Sequence, residues 1–354
     1  MWQGRRVLVT GHTGFKGGWL SLWLAARGAL VHGFAVDPPT DPSFHAACRL
    51  APQLQHDRRG DLRDPEAVAG CLADAEPEVV FHLAAQPLVR RSYREPLDTF
   101  DTNVMGTVRL LEAVRSCGSV RAVVVITTDK VYDNREWDWP YRETEPLGGA
   151  DPYSASKACA ELVCESYRRS FLAGAGIRLA TARAGNVIGG GDWAADRLVP
   201  DFFRAAAAGE PLAIRAPGAV RPWQHVLEPL SGYLLLAERL LESERYAEAW
   251  NFGPAEDDAR PVGWIVEHLC GLLPAARWRR DGADHPHEAG ILRLDSTKAR
   301  QRLGWRPRWG LEEALGRTFD WHRAWQAGAD MTAVSLAQIE AFETTATAAH
   351  REAA

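Results

Sequence analysis

The stretch RRVLVTGHTGFKG, Arg5 to Gly17, decides the fold. Val7 to Val9 is a short apolar run of the kind that forms a fully buried strand. It ends at Gly11, and glycines recur at 14 and 17 before WLSLWLAARG, from Trp19, takes up helical periodicity and closes at Gly28. A strand, a glycine turn and a helix in that order present backbone N–H groups at a helix N-terminus with no side chain in the way, which is what a diphosphate needs. A glycine triplet alone is a weak signal, because tight turns also use glycine for sterics. The next apolar run, ALVHGFAVD, strengthens it by ending in Asp37, about 20 residues beyond the last glycine. A carboxylate there accepts hydrogen bonds from the adenosine ribose hydroxyls and repels a 2′-phosphate, and the following Pro38-Pro39 supplies no compensating arginine. The expected cofactor is NAD rather than NADP.

Three more segments extend the pattern. RRGDLRD puts Asp61 and Leu62 after a third short strand, where such folds contact adenine. VVFHLAA is a buried strand running into Leu83, Ala84 and Ala85, the alanines small enough for a cofactor to pass close by, and AVVVITT is another, ending at Thr128. Their alternation with helical segments such as GTVRLLEAVRSC predicts an α/β fold, a Rossmann-type doubly wound parallel sheet with a smaller C-terminal substrate-binding lobe. In such sheets ligands sit at the carboxyl ends of the strands, where Gly14, Ala84 and Thr128 all fall. The expected division is residues 1–185 for the cofactor unit with a returning segment at about 220–252, residues 186–325 mainly for the lobe, and 326–354 for a packing helix with a frayed end.

Composition excludes several classes. The 354 residues are 46% hydrophobic and 25% charged, the profile of a globular chain rather than a disordered one. A net charge of -5 with dispersed basic residues argues against a nucleic-acid partner. The six cysteines contain no C-x-x-C, which argues against a metal site or redox motif. No run approaches the roughly 20 apolar residues of a membrane span, and the N-terminus enters a strand rather than a leader. The expected compartment is the cytoplasm.

Two pairs carry the chemistry. In YSASK, Tyr153 and Lys157 stand at i and i+4 on one helical face; in TTDK, Asp129 precedes Lys130. An ammonium beside a phenol favours phenolate and pulls its pKa towards neutrality. The same spacings also occur on solvated surfaces and in turns, so the pairs gain meaning only beside a dinucleotide fold.

At this point a resemblance becomes specific. GHTGFKG together with YSASK resembles the extended short-chain dehydrogenase/reductase family, the group that modifies nucleotide-linked sugars. The resemblance implies that Tyr153 is the catalytic base, that Lys157 also holds the nicotinamide ribose, and that Thr128 hydrogen-bonds the sugar C4 oxygen. It implies a cofactor set of Gly11, Gly14, Phe15, Lys16, Gly17, Asp37, Asp61, Leu62, Leu83, Ala84, Ala85 and Asn103 with Tyr153 and Lys157. Epimerases of the family have a plain serine or threonine where this chain has TDK. The sugar 4,6-dehydratases have an acid at the position of Asp129 and most often a glutamate at that of Lys130. The longer segments GHTGFKGGWL, TTDKVYDNREW, PLGGADPYSASK, GNVIGGGDW and RPWQHV resemble the dehydratase branch that has the lysine, over nearly the whole chain to about residue 325. A cytidine base and a glucose sugar rest on that resemblance alone.

The reaction so implied has three steps: oxidation at C4, loss of water across C5 and C6, and return of the hydride to C6, with no net redox change, so that NAD can stay bound. Asp129 would protonate the departing hydroxyl, which asks for a raised pKa. Lys130 would remove the C5 proton as a neutral amine, or stabilise the enolate as an ammonium.

For the nucleoside diphosphate, the resemblance nominates Asn186, Arg197, Leu198, Arg221 and Arg293 with Thr128, arginine being suited by its fork of donors. His225 is a contact or a structural histidine, and Trp193 stacks on the base or caps the lobe. Two long helices, Asn103 to Cys117 and Tyr153 to Ala173, pair across a two-fold axis in this family, which implies a homodimer or homotetramer. The rival readings are a nucleotide-sugar 4-epimerase, which has no need of Asp129 and Lys130, and a non-catalytic NAD-binding regulator, which would not need the tyrosine.

Overall fold

The computed structural model describes residues 1–283 and 290–352, with side chains described as far as residue 345. The run after Arg5 forms β1 (Arg6–Thr10), the glycine turn feeds α1 (Phe15–Ala26), and β2 (Leu30–Ala35) lies parallel to β1 with Val31 opposite Val7. The alternation continues through β3 (His56–Arg59), α2 (Pro65–Ala75), β4 (Val79–His82), α3 (Gly106–Arg115), β5 (Ala122–Ile126), α4 (Pro152–Tyr167) and β6 (Arg178–Ala184). Successive strand residues point to opposite faces. Val7 and Val9 therefore pack with Trp19 and Trp23 of α1, while Leu8 packs with Val68 and Leu72 of α2 and with Leu110 and Leu111 of α3. Helices cover both faces, so the inner strands β4 and β5 and the centre of β1 read as unbroken apolar runs, while the edge strand β3 is charged.

Between β3 and β4 the chain crosses back to the other side of β1, and the strand order reverses there, which opens a crevice at the carboxyl ends. Helix entries are fixed locally. Asp64 caps α2 by accepting from the N–H groups of Glu66 and Ala67, and Asp151 caps α4 by accepting from Ser154 N, each with proline in the first turn. The helix expected from Asn103 is α3 preceded by a π-turn at Asp101–Met105, and the one expected to reach Ala173 is α4 continued by a π-turn at Arg168–Leu172.

After β6 the chain builds the lobe with β7 (Val187–Ile188), α5 (Leu198–Ala208), β8 (Leu212–Ile214), β9 (Val220–Pro222) and β10 (Gln224–His225). It returns as α6 (Leu227–Glu242), whose Leu227, Leu230 and Leu234 join the core under the sheet, and β11 (Ala249–Phe252) becomes the seventh parallel strand beside β6. The lobe resumes with β12 (Ala259–Pro261), α7 (Val262–Leu272) and β13 (Trp278–Arg280), which pair as β9 with β12 and β8 with β13. Two further helices, α8 (Leu311–Gln326) and α9 (Met331–Glu352), close the structure.

The junctions use glycine and tryptophan. A Cβ at Gly190 would lie 2.0 Å from Cγ of Trp321, so only glycine lets α8 seat its indole there. The tail expected to pack does so: Phe342 of α9 is fully buried edge-on to Trp23, whose Nε1 donates to Glu343 at 2.6 Å. Burying such a ring stabilises by about 2–3 kcal/mol. Among the described residues no helix is long and apolar enough to cross a membrane.

Candidate active site

A cavity of about 1190 Å³ runs along the carboxyl ends of the strands, from Asp61 and Leu62 past Thr128 and Tyr153 to Arg215 and Arg221 in the lobe. Its cofactor end is built from backbone. Gly11 has φ +78°, and a Cβ on Gly17 would lie 2.1 Å from the Gly11 carbonyl oxygen, so the turn folds against α1 only with glycine at both places. Helix α1 starts at Gly14 with no side-chain cap, which leaves its first N–H groups facing the cavity for an anion. Gly11, Gly14, Phe15, Lys16, Gly17, Asp61, Leu62, Leu83, Ala84 and Ala85 all line the wall, so these expected positions come together.

Three expectations at this end need correction. Asp37 stands on the rim with its carboxylate 90% exposed, not in the wall. An arginine does reach it: Arg59, from the end of β3, donates to Asp37 at 3.2 Å. Local sequence after Asp37 could not show this, because β2 and β3 meet only in the sheet. Arg59 also binds Asp57, which accepts from His12 at 2.6 Å and His45 at 3.1 Å. Asn103 is buried beneath the wall; its amide accepts from Gln86 N and donates to Gln86 O and Ser156 Oγ, which leaves it shaping the loop rather than facing a ligand.

At the centre, Thr128, Asp129, Lys130, Tyr153 and Lys157 converge on the cavity. The Thr128 hydroxyl donates to Asp129 Oδ1 at 3.0 Å. Lys130 Nζ lies 3.7 Å from the same carboxylate oxygen. Asp129 is 1% exposed, and its Oδ2 is buried without a hydrogen-bond partner, an arrangement that costs free energy unless a ligand completes it.

The expected effect of Lys157 on Tyr153 is not what the geometry produces. Lys157 donates to the Ile126 carbonyl at 3.1 Å. Burial pushes the Tyr153 phenol up to about 12; Thr128 and Arg197 oppose that rise, and the Asp129 and Asp151 carboxylates add to it. Lys157 itself is pushed down to about 8 by burial. Lys16 is drawn into the same region: burial, with Arg197 and Lys157 adding, lowers its amine to about 7, while Asp129 opposes. The sequence placed Lys16 at the cofactor but held no sign of this cluster, since its members come from four separate elements.

In the lobe, Asn186, Arg197, Leu198 and Arg221 line the cavity. Arg197 precedes α5, pairs with Asp192 at 2.9 Å and acts electrostatically on Tyr153. Arg221 is buried and donates to the carbonyls of Val220 and Gly290. Arg293 does not line the wall, although its Nε is buried without a partner. His225 is structural: fully buried between Trp19 and Trp309, it accepts from Leu227 N and is held neutral by burial. Trp193 lines the cavity and packs edge-on against Trp321 and Trp325.

Residues 7–253 match the model of the family described as NAD dependent epimerase/dehydratase. A CDP-glucose 4,6-dehydratase of Salmonella typhimurium is 55% identical over 348 residues, covering 96% of this chain and 97% of the relative. The solved structure of a dTDP-glucose 4,6-dehydratase from Streptomyces venezuelae with NAD bound is 27% identical, with a TM-score of 0.76 over 92% of this chain and 99% of that one. A UDP-glucose 4-epimerase of Thermus thermophilus in complex with NAD is also 27% identical, with a TM-score of 0.77 over 89% and 98%.

Proposed function

The chain belongs to the NAD dependent epimerase/dehydratase family, and from that premise we propose that it is a nucleotide-sugar 4,6-dehydratase converting CDP-glucose to CDP-4-dehydro-6-deoxyglucose and water. The observation that carries the reading is the buried Asp129 carboxylate, with one oxygen unpartnered at the cavity and Lys130 beside the other. A 4-epimerase uses Tyr153, Lys157 and Thr128 but leaves that oxygen without a purpose.

NAD fits the glycine cradle and the uncapped start of α1. Gly11, Gly14 and Gly17 with the first turn of α1 would hold its diphosphate, and the group would supply a reversible hydride acceptor for C4 and C6. Tyr153 takes the proton of the C4 hydroxyl while Thr128 hydrogen-bonds that oxygen. Lys130 removes the C5 proton, which the C4 ketone has made acidic, and Asp129 protonates the departing C6 hydroxyl. When hydride adds at C6 the Lys130 ammonium gives its proton back to C5, and the proton that Tyr153 took from the C4 hydroxyl passes to Asp129 by way of Thr128, whose hydroxyl bonds that carboxylate at 3.0 Å. Asn186, Arg197 and Arg221 hold the nucleotide end, residues 186–325 serving as the substrate lobe and 1–185, with the return near 220–252, as the cofactor unit.

The test uses CDP-glucose deuterated at C4 with added NAD. Loss of water with deuterium in the C6 methyl group is expected; unchanged mass with inversion at C4 would overturn the reading in favour of an epimerase.

The chain also assembles as a homodimer or a pair of dimers in this reading. Met105 on the first helical stretch expected to pair, and Leu162 and Phe171 on the second, are exposed apolar residues, and Leu97 and Phe100 lie exposed just ahead of the first. A monomer mass by light scattering at every concentration would contradict this.

A further inference from the structure

Tyr153, Lys157 and Glu161 stand at i, i+4 and i+8 on α4, and all three are buried. Two of them bind successive residues at the end of β5, Lys157 the Ile126 carbonyl at 3.1 Å and Glu161 the Thr127 hydroxyl at 2.6 Å, and the next residue, Thr128, acts against the rise of the Tyr153 phenol. The reaction proposed above draws on Tyr153 and Lys157 and has no role for Glu161. Its side chain is 3% exposed and accepts four hydrogen bonds, from Thr127, from Thr181 at 2.7 Å, and from Nε and Nη2 of Arg183 at 2.9 Å each. Burial would raise this carboxyl, yet Arg183 and the two threonines hold it below the usual carboxylate range.

Arg183 continues the chain of contacts. Its Nη1 donates to the Tyr132 hydroxyl at 2.9 Å and to the Glu143 carbonyl, and Tyr132 donates to Asn251 Oδ1 at 2.7 Å. Tyr132 directly follows the 3₁₀ turn Asp129–Val131 that carries Asp129 and Lys130. One buried ion pair is thus tied on one side to the helix of the oxidation residues and on the other to the turn of the elimination residues.

We propose that the Glu161–Arg183 pair is a positioning element that sets Tyr153 and Lys157 against Asp129 and Lys130, so that the two half-reactions share one sugar pose. The proposal rests on the dehydratase reading. A buried ion pair contributes little net stability compared with apolar residues of the same volume, so holding one geometry is the role that accounts for it. Glu161 also supports the charge of Lys157. The groups facing that amine are Glu161 and Cys164 on α4, Lys16 from α1 and His82 from β4, and Glu161 is the one carboxylate among them.

Two variants separate this from a merely structural pair. Tyr132→Phe removes only the hydroxyl that joins Arg183 to the turn and leaves no buried charge unpaired. In a single turnover it is expected to keep C4 oxidation within about twofold while reduced nicotinamide accumulates about fivefold more, because elimination lags. Glu161→Gln is expected to move the Lys157 titration, followed by NMR of 15N-lysine-labelled protein without substrate, about one pH unit lower. Should that variant not fold, Glu161→Gln with Arg183→Met leaves no unpaired charge and is expected to show the same shift. Oxidation and elimination slowed alike in Tyr132→Phe, or an unmoved Lys157 titration, would overturn the proposal. Failure of the dehydratase reading itself would appear separately, as no loss of water in the unaltered protein.

Discussion

The two ends of the cavity are made of different materials. At the cofactor end the wall is Gly11, Gly14, Gly17, Ala84 and Ala85, and the charged residue expected to define it, Asp37, lies exposed on the rim. At the sugar end Lys16, Asp129, Lys130, Lys157 and Arg197 crowd together, four basic side chains about one carboxylate, with Asp129 and Lys157 buried and the others half-buried. The first end binds through backbone geometry, which tolerates loss of single side chains. The second works through charges in a low-dielectric site, where each change alters the others.

Single substitutions should follow that contrast. The largest effect is expected from Tyr153→Phe, which removes the group that takes the C4 proton: kcat should fall about a thousandfold or more with NAD affinity little changed, read by steady-state kinetics and equilibrium binding. In the unaltered protein kcat/KM should decline on the alkaline side. Burial holds Lys157 at about 8, so its ammonium is present below that pH and is lost above it. A profile flat to pH 10 would remove Lys157 from the reaction.

Lys130→Met is expected to slow elimination about a hundredfold and leave C4 oxidation intact, so that reduced nicotinamide appears without loss of water. Unchanged turnover would erase the distinction between Lys130 and a solvated turn lysine. The smallest effect belongs to the rim: Asp37→Asn should weaken NAD binding only a few-fold, since an exposed ion pair with Arg59 is worth about 0–1 kcal/mol. If it cost more than Lys130→Met, measured by NAD titration against turnover, the contrast between the two ends would fail.

Lys157 shows where sequence reasoning stopped. The i, i+4 spacing with Tyr153 was legible because helical geometry places those side chains on one face whatever surrounds them. What that amine binds was not, because its partner is the Ile126 carbonyl of a strand 31 residues away. Glu161 had the same kind of signal, one turn further along that face, and went unread because its meaning lies in Arg183 on β6. Asp37 and Arg59 repeat the lesson at the rim.

By itself, then, the sequence determined whatever depends on short-range periodicity: the buried parallel strands, the glycine turn at the start of α1, and the common helical face of Tyr153 and Lys157. Those features follow from backbone geometry over a few residues. Only the tertiary structure decided which charges act on which. Arg197 came to Tyr153 from the lobe, Lys16 to Asp129 from the glycine turn, and Arg59 to Asp37 from the neighbouring strand. The reason is that electrostatic coupling depends on distance and on burial, and both are set when elements far apart in the chain pack together.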